Sequence, residues 1–384
     1  MDFSEVLGHQ HIKSHLSKTI ETGRIAHAQL FTGANGTGLL PMAMAYASAL
    51  LCSQFEKGSP EYNSCKKKTA KLVHPDLHFV YPVNTSDIAK KNAVSDNYAV
   101  AWRQFVLENP YASLFEWLQR LGIENKQGNI SKFEAELISK KLALKAFEGG
   151  YKILIIWMAE NMNSECANKI LKLVEEPTEK TLLLLLAERE EQIITTIRSR
   201  CQKLAFPMLS EADISEALTT KMKIGSPLAT QTARRARGDF NKALQLLEET
   251  GADEVFEGWF IDWVRTAFKA KGNKGAINNL LDWSNDLAGQ GRETQKKFLS
   301  YCMDIFRQAL LQNYGAAPLL YFEATDASFS LAKFAPFVHQ NNIFAINTAL
   351  EDASYHIERN GNAKIIFTDL SIKLTRLMHQ PESP

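Results

Sequence analysis

Residues 28–40 read AQLFTGANGTGLL, and this stretch decides the fold of the N-terminal half. Its first part, Ala28–Thr32, is a short apolar run that predicts a buried strand, and Leu39–Leu51 then has the composition of a helix. Three glycines lie between them: Gly33, Gly36 and Gly38. This is the frame of a phosphate-binding loop, because glycines let backbone N–H groups face an anion at a helix N-terminus.

The loop lacks the two side chains that a working nucleotide site needs. Lysine normally reaches the β- and γ-phosphates, and serine or threonine binds Mg²⁺. Leu39 and Leu40 occupy those positions and can do neither. We therefore expect no bound nucleotide and no ATP hydrolysis at this loop. Taken alone, the glycines also fit a simple tight turn between strand and helix.

Three more apolar runs predict strands, and a helix lies between the last two. The helix Ser164–Glu175 has apolar residues at helical spacing, Asn163 or Ser164 can cap it, and Pro177 stops it. Strands that are apolar on both faces, alternating with helices, indicate an α/β fold with a parallel sheet covered by helices. The predicted strands are Leu77–Tyr81, Ile153–Met158 and Leu182–Ala187.

The C-terminal end of the predicted strand Ile153–Met158 is where an ATPase would carry catalytic residues. In a phosphate-loop ATPase this position presents acidic residues for Mg²⁺ and the attacking water. Trp157 and Met158 stand there instead. Glu160 follows and could replace an acid, but we expect it to be a solvated residue of the next turn. Two separate parts of one catalytic apparatus are thus missing.

The segment 84–129 is long for a connection between a strand and a helix, so we interpret it as an insertion. Its helical patches are Val100–Leu107 and Leu114–Leu121. From about Ser210 the chain becomes helical, beginning with a capping-box pattern, and a second helical bundle follows Gly251. The aromatic residues expected to fill its core are Trp259, Phe260, Trp263, Phe268, Trp283, Phe298, Phe306, Phe344 and Phe367.

Composition narrows the class of protein. The chain has 384 residues, enough for two to three domains at about 150 residues each. A net charge of +1 argues against a strongly basic nucleic-acid-binding surface. Five cysteines do not suggest a disulfide framework, so we expect reduced thiols and a cytoplasmic location. No apolar run is long enough for a membrane span, and the N-terminus has no signal-peptide pattern.

Five motifs together resemble the bacterial DNA polymerase III clamp-loader subunits, which are AAA+ proteins, and the delta-prime group fits best. The Glu-Glu-Pro and Ser-Arg-Cys stretches are the most specific of them, whereas the region after Ala252 matches only in being helical. The motifs are Val6-Leu7-Gly8-His9, His27–Gly33, His74-Pro75-Asp76, Asn168–Pro177 and Ser199-Arg200-Cys201.

The resemblance implies three domains and a role inside an assembly. The domains would be an AAA+ domain at 1–208, a helical lid at 209–250 and a helical collar for oligomerisation at 251–384. The chain would join ATPase subunits and a delta subunit in a hetero-pentamer that loads the sliding clamp onto primed DNA. Arg200, positioned by Ser199 and Cys201, would act in trans as an arginine finger on ATP and Mg²⁺ held by a neighbouring subunit.

The sequence departs from the family pattern in two places, at the zinc site and in the lid. Members often hold zinc with four cysteines, but here only Cys52 and Cys65 remain, so we expect no zinc unless His74 or His78 completes the site. Lys66, Lys67, Lys68 and Lys71 follow Cys65, and we expect a solvated surface there; contact with DNA phosphates is the alternative. In the lid, Asn241 stands where active subunits carry a sensing arginine.

Two other functions stay open at this point. An active loader ATPase of the gamma/tau kind would have to tolerate leucines in its loop. A stand-alone DNA-binding protein would need a basic surface that the near-neutral charge does not favour. The leading hypothesis is a non-catalytic subunit, which is not an enzyme by itself.

Overall fold

The computed structural model describes residues 1–123, 126–248, 252–270, 273–322 and 324–381. They form two compact units, Met1–Leu247 and Glu248–Pro384. The strands are β1 Ala28–Thr32, β2 Leu77–Val80, β3 Lys152–Trp157, β4 Thr181–Ala187 and β5 Gln202–Ala205. The helices up to the second unit are α1 Gln10–Thr22, α2 Leu39–Cys52, α3 Pro60–Ala70, α4 Ala99–Glu108, α5 Leu114–Arg120, α6 Lys132–Ala143, α7 Ser164–Glu175, α8 Thr195–Arg198, α9 Glu211–Met222, α10 Ser226–Ala236 and α11 Phe240–Glu248. Those of the second unit are α12 Ala252–Lys269, α13 Lys274–Ala288, α14 Arg292–Asn313, α15 Leu331–Phe334, α16 Ile343–Glu358 and α17 Ala363–Leu377.

Within the described residues, five strands form one parallel sheet in the order β2-β3-β4-β1-β5. Successive side chains of a strand point to opposite faces, and both faces of β4 are buried. Leu182 and Leu184 pack into the core beneath α2, whereas Leu183 and Leu185 pack into the core with α6 and α7. Helices on both faces explain why this strand is a continuous apolar run.

The predicted fold class, a parallel sheet covered by helices with a helical C-terminal region, is confirmed. Helix α7 has the predicted bounds, and its N-cap Asn163 accepts a hydrogen bond from the Cys166 N–H at 2.8 Å. Strand β5 was not predicted. It lies at the sheet edge, and only Leu204 of its four residues is buried, so it lacks an apolar run.

The insertion 84–129 contains both predicted helical patches, as α4 and α5. The Trp102 ring of α4 stacks on Tyr81 with centroids 4.0 Å apart. The Trp117 indole of α5 donates to the Pro82 carbonyl at 2.9 Å. Both tryptophans are fully buried, so the described part of the insertion contributes to the main core.

Helices α9–α11, which we call the lid, lie within the first unit up to Leu247. Ser210 caps α9 as predicted, and its Oγ accepts a hydrogen bond from the Asp213 N–H at 3.0 Å. Ile214 and Leu218 of α9 are fully buried in a small core shared with α10 and α11. This core also contains Leu7 and Tyr111 from outside the lid, and the three-domain division stays a prediction.

The second unit is a helical bundle around an aromatic core. Trp263 stacks on Trp283 with centroids 4.9 Å apart, and its indole donates to the Ser371 hydroxyl at 2.9 Å. The prediction was wrong for Phe344, which is 78% exposed. Its neighbour Ile343 takes the inward face of α16, and consecutive helical residues point about 100° apart.

The prediction that the Phe268 ring fills the same core was also wrong, because its side chain is 42% exposed. The ring stacks on His379 instead, with centroids 5.0 Å apart. In the described part of the chain, no helix has both the length and the apolar character that crossing a bilayer requires.

The two-sided burial of β4 predicts a large stability cost for shortening one of its side chains. Leu184→Ala should cost about 2–5 kcal/mol, because it leaves a cavity between sheet and helix. Hydrogen exchange of β1 and β4 amides, followed by mass spectrometry, measures the loss of protection. Leu228→Ala, on a side chain 42% exposed, is the control and should change little. Equal loss of protection in the two variants would contradict this account of the core.

Candidate functional site

The phosphate loop, residues 33–38, lies between β1 and α2 as predicted. Gly36 and Gly38 have φ angles of 69° and 97°, which side-chain-bearing residues rarely adopt. The Thr37 hydroxyl donates to the Ala34 carbonyl at 2.7 Å and tightens the turn. The backbone therefore has the curl of an anion-binding loop, and what lies against it decides whether an anion can enter.

A carboxylate of the lid lies directly against the loop. A Cβ built on Gly36 would meet Asp239 Oδ1 at 1.8 Å, and the Phe240 N–H donates to the Gly36 carbonyl at 3.2 Å. Asn35 Nδ2 donates to Asp239 Oδ2 at 3.4 Å. Two like charges about 4 Å apart repel by about 4 kcal/mol at an effective dielectric constant near 20. An ionised Asp239 therefore opposes a phosphate at this loop.

The insertion covers the other side of the loop with an aromatic ring. A Cβ on Gly38 would lie 3.1 Å from Tyr111 Cε1. The Tyr111 hydroxyl accepts a hydrogen bond from the Leu7 N–H at 2.9 Å, and its ring contacts Phe240 edge to face at 5.0 Å. Burial raises the pKa of Tyr111 above its usual value, so the ring stays neutral. The loop is thus bounded by the lid and the insertion together.

Little space is left where a nucleotide would bind. The cavity lined by the loop, Tyr111, Trp157, Met158 and Glu188 holds about 20 Å³, room for about one water molecule. Small-molecule sites usually enclose about 300–1,000 Å³. The side chains of Leu39 and Leu40 are buried in the core of the sheet. The structure therefore gathers the predicted loop and strand-end residues, except Gly33, around a cavity too small for a nucleotide.

The carboxyl end of β3 is apolar, as its sequence indicates. Trp157 and Met158 are buried, and Trp157 packs against Trp102 with centroids 5.1 Å apart. The expectation of a solvated Glu160 was wrong, because this side chain is only 9% exposed. Its Oε1 accepts the N–H groups of Glu188 and Arg189 at 3.0 and 3.2 Å. Glu160 satisfies the backbone beyond β4 instead of facing solvent.

Acidic groups around this edge alter one another's ionisation. Burial, together with the nearby charge of Glu160, raises the pKa of Glu188 to about 7. Burial also raises the pKa of Glu160 and of Asp239. When ionised, Asp239 against Gly36 and Glu188 in the cavity wall are unfavourable for a triphosphate.

Side-chain hydrogen bonds join the lid to the insertion. Asn241, the residue in the place of a sensing arginine, accepts from Asn109 Nδ2 at 2.7 Å and donates to Glu116 Oε2 at 2.6 Å. Gln245 Nε2 donates to the other Glu116 oxygen at 3.2 Å. Sequence reasoning missed Tyr111, Asp239 and Glu116 as residues of this site. Asp239 and Asn241 belong to a lid stretch that the sequence singles out, but no pattern links that stretch to the insertion.

Arg200 lies apart from the loop cavity and follows the short helix α8. Its side chain is 43% exposed, and its Nε is 3.0 Å from Glu175 Oε1. Nη1 donates to the Thr196 carbonyl at 3.0 Å and lies 3.5 Å from the Ser199 hydroxyl. Burial raises the pKa of the Cys201 thiol to about 11, so Cys201 stays protonated at neutral pH. Cys201 therefore lacks the thiolate that nucleophilic chemistry needs.

Cys52 and Cys65 form a disulfide that joins α2 to α3. The expectation that every cysteine is a reduced thiol was therefore wrong. Both residues are fully buried where α2 packs against α3, with Cα atoms 5.7 Å apart, which is within disulfide reach. Two cysteines in a sequence do not reveal whether their sulfurs meet each other or a metal.

The residues near the disulfide do not fit the zinc ion of the family pattern. Ligand atoms of Cys65, His74 and Glu148 lie within 4.8 Å of one another. The Cys65 sulfur is already bonded to Cys52, however, and the Lys68 ammonium lies 2.5 Å from Glu148 Oε1. The cation at this carboxylate is a lysine, so the cluster needs no metal charge.

The two histidines considered as substitute ligands do not complete the site either. His74 Nδ1 accepts from the Asp76 N–H at 3.1 Å, and His74 Nε2 lies 3.0 Å from Glu148 Oε2. Both ring nitrogens of His74 are therefore engaged. His78 lies on β2 outside the ligand cluster, and burial lowers its pKa.

The predicted solvated surface holds only in part for the lysines around Cys65. Lys66 pairs with Asp2, and Lys68 pairs with Glu148, whereas Lys67 and Lys71 are exposed.

A family model described as DNA polymerase III, delta subunit matches residues 8–210. The chain belongs to this family. It is 27% identical over 244 residues to the DNA polymerase III subunit delta' of Bacillus subtilis, across 63% of this chain and 59% of that relative. It is 23% identical over 402 residues to the subunit tau of the same organism, across 98% of this chain and 62% of the relative. The chain thus spans less than two thirds of the length of either relative.

A solved structure that this chain is similar to is a DNA polymerase III gamma subunit-related protein from Thermotoga maritima. It shares 14% sequence identity and a TM-score of 0.39, across 95% of this chain and 99% of that one. The overall similarity is low.

Because other residues fill the site, we expect that restoring the lost loop side chains will not restore nucleotide binding. The variant Leu39→Lys/Leu40→Thr should bind ATP more weakly than about 1 mM, which corresponds to about −4 kcal/mol. Adding Tyr111→Ala and Asp239→Ala to it should strengthen binding, because the ring and the carboxylate are removed. Isothermal titration calorimetry measures both variants. Micromolar binding by the unaltered protein would contradict the closed loop.

The disulfide predicts the number of reactive thiols. Protein purified without reductant and then unfolded should expose three thiols, those of Cys166, Cys201 and Cys302, and reduction should raise the number to five. Alkylation followed by mass spectrometry counts them, and Cys201→Ser should lower both counts by one. Five thiols before reduction, together with one zinc ion per chain by elemental analysis, would contradict this assignment.

Proposed function

We propose that the chain is a non-catalytic, delta'-like subunit of the replicative clamp loader. The observation that carries the proposal is the contrast between two sites. The phosphate loop is closed by the chain's own Tyr111 and Asp239, whereas Arg200 lies at the surface with a half-exposed side chain. A chain with this contrast is suited to act on a nucleotide held by a neighbour rather than on its own.

Within that proposal, Arg200 is an arginine finger. Its guanidinium is planar and always charged, so it can stabilise the charge that develops on a transferred phosphoryl group without having to change protonation state. ATP and Mg²⁺ belong to the adjacent ATPase subunit in the cytoplasm, and this chain holds neither. Other loader subunits, including delta, complete the pentamer, which places the sliding clamp on primed DNA.

The gamma/tau-like ATPase is the main alternative, since the relatives include a tau subunit. The leucines, the cavity of about 20 Å³ and the carboxylate against the loop all disfavour it. A stand-alone DNA-binding protein is disfavoured by the net charge of +1.

Reconstitution of the loader from its ATPase subunits, delta, this chain and the clamp tests the finger. Arg200→Ala should leave assembly intact and slow ATP hydrolysis at the one interface it serves, with clamp loading reduced at least ~10-fold. The matched control is Arg198→Ala, two residues away on the same segment, which should retain loading. Size-exclusion chromatography and stimulated hydrolysis are the measurements.

Unchanged hydrolysis and loading with Arg200→Ala would refute the finger. If Arg198→Ala reduces hydrolysis and loading and Arg200→Ala does not, Arg198 is the finger instead.

A further inference from the structure

The ion pair between Glu175 and Arg200 joins two motifs that are far apart in the sequence. Glu175 is the last residue of α7, and its Oε1 lies 3.0 Å from Arg200 Nε. Both side chains remain about 40% exposed. The pair therefore lies at the surface, where an ion pair contributes little to the stability of the fold.

The contacts fix the direction of the guanidinium. Its Nε is engaged by Glu175, and its Nη1 donates to the Thr196 carbonyl. Among the described residues, no hydrogen bond to Arg200 Nη2 is formed. Because the guanidinium is rigid and planar, holding two of its nitrogens also aims the third. An incoming phosphate oxygen can meet Nη2 without displacing the Thr196 carbonyl or the Glu175 carboxylate.

Glu175 lies at the end of α7 and Arg200 lies just after α8, and both helices are well packed. Val174 at the end of α7 is buried, and its carbonyl lies 2.8 Å from His27 Nε2, just before β1. Ile197 of α8 is fully buried in the same core as Val174, and Cys201 packs against that core. The backbone positions that carry the two charged side chains are thus packed on one shared core.

We propose that Glu175 is a positioning residue that holds Arg200 ready for a phosphate on a neighbouring subunit. This inference rests on the proposed function, because it needs Arg200 to act on that phosphate. Glu175 itself touches no substrate. Pre-orientation of a catalytic group raises the rate of the chemical step, so removing the carboxylate should act on kcat more than on KM.

The test uses the reconstituted loader with Glu175→Gln, Glu175→Asp and the adjacent control Glu176→Gln. Glu175→Gln should lower kcat for stimulated ATP hydrolysis roughly 10-fold with KM unchanged. Glu175→Asp keeps the charge and should recover part of the loss, and Glu176→Gln should match the unaltered chain. The midpoint of thermal unfolding should be the same for all three, which separates positioning from folding.

A double variant distinguishes failure of this inference from failure of the finger. Glu175→Gln added to Arg200→Ala should cause no further loss, since the carboxylate acts only through the arginine. A further loss, a normal rate with Glu175→Gln alone, or loss of assembly would each overturn the positioning role while leaving the finger standing. If Arg200→Ala alone has no effect, the proposed function fails, and the positioning role fails with it.

Discussion

The lid and the insertion of this chain lie against its own phosphate loop. This constraint limits which ligands the N-terminal unit can accept there. The Gly36 carbonyl accepts the Phe240 N–H, and the Asp239 carboxylate lies where an anion would approach. Tyr111 completes the closure from the insertion. The loop keeps the backbone shape of a nucleotide site, but little free space is left beside it. Leu39 and Leu40 at the start of α2 also disfavour a nucleotide, but they are not the sole reason that the loop is closed.

The closure depends on the sheet beneath it. Parallel strands bring their carboxyl ends to one edge, which is where open α/β folds bind ligands. In this chain that edge gathers the loop after β1, Trp157 at the end of β3 with Met158 next to it, and Glu188 after β4. The same architecture places α7 and α8 on one shared core, which sets the separation of Glu175 and Arg200. One sheet thus supports a closed site and an exposed arginine.

Sequence reasoning succeeded where the signal is local. The apolar runs of β1, β3 and β4 reveal strands buried on both faces, and the capped pattern of α7 gives its bounds. It could not find the closure, because Asn35 and Asp239 are 204 positions apart and no spacing rule links them. The disulfide was missed for a related reason, since Cys52 and Cys65 meet only once α2 packs on α3. Phe344 was assigned to the core because an aromatic residue alone does not reveal which face of a helix it occupies.

Closure by internal groups also changes how this chain responds to its surroundings. A protein that binds ATP is stabilised by it through mass action, and the gain grows with the ratio of ligand concentration to dissociation constant. Here the lid and the insertion lie against the loop, with Asn241 and Glu116 joining the two. If the loop binds no nucleotide, as we propose, the folding equilibrium of the N-terminal unit does not depend on nucleotide concentration.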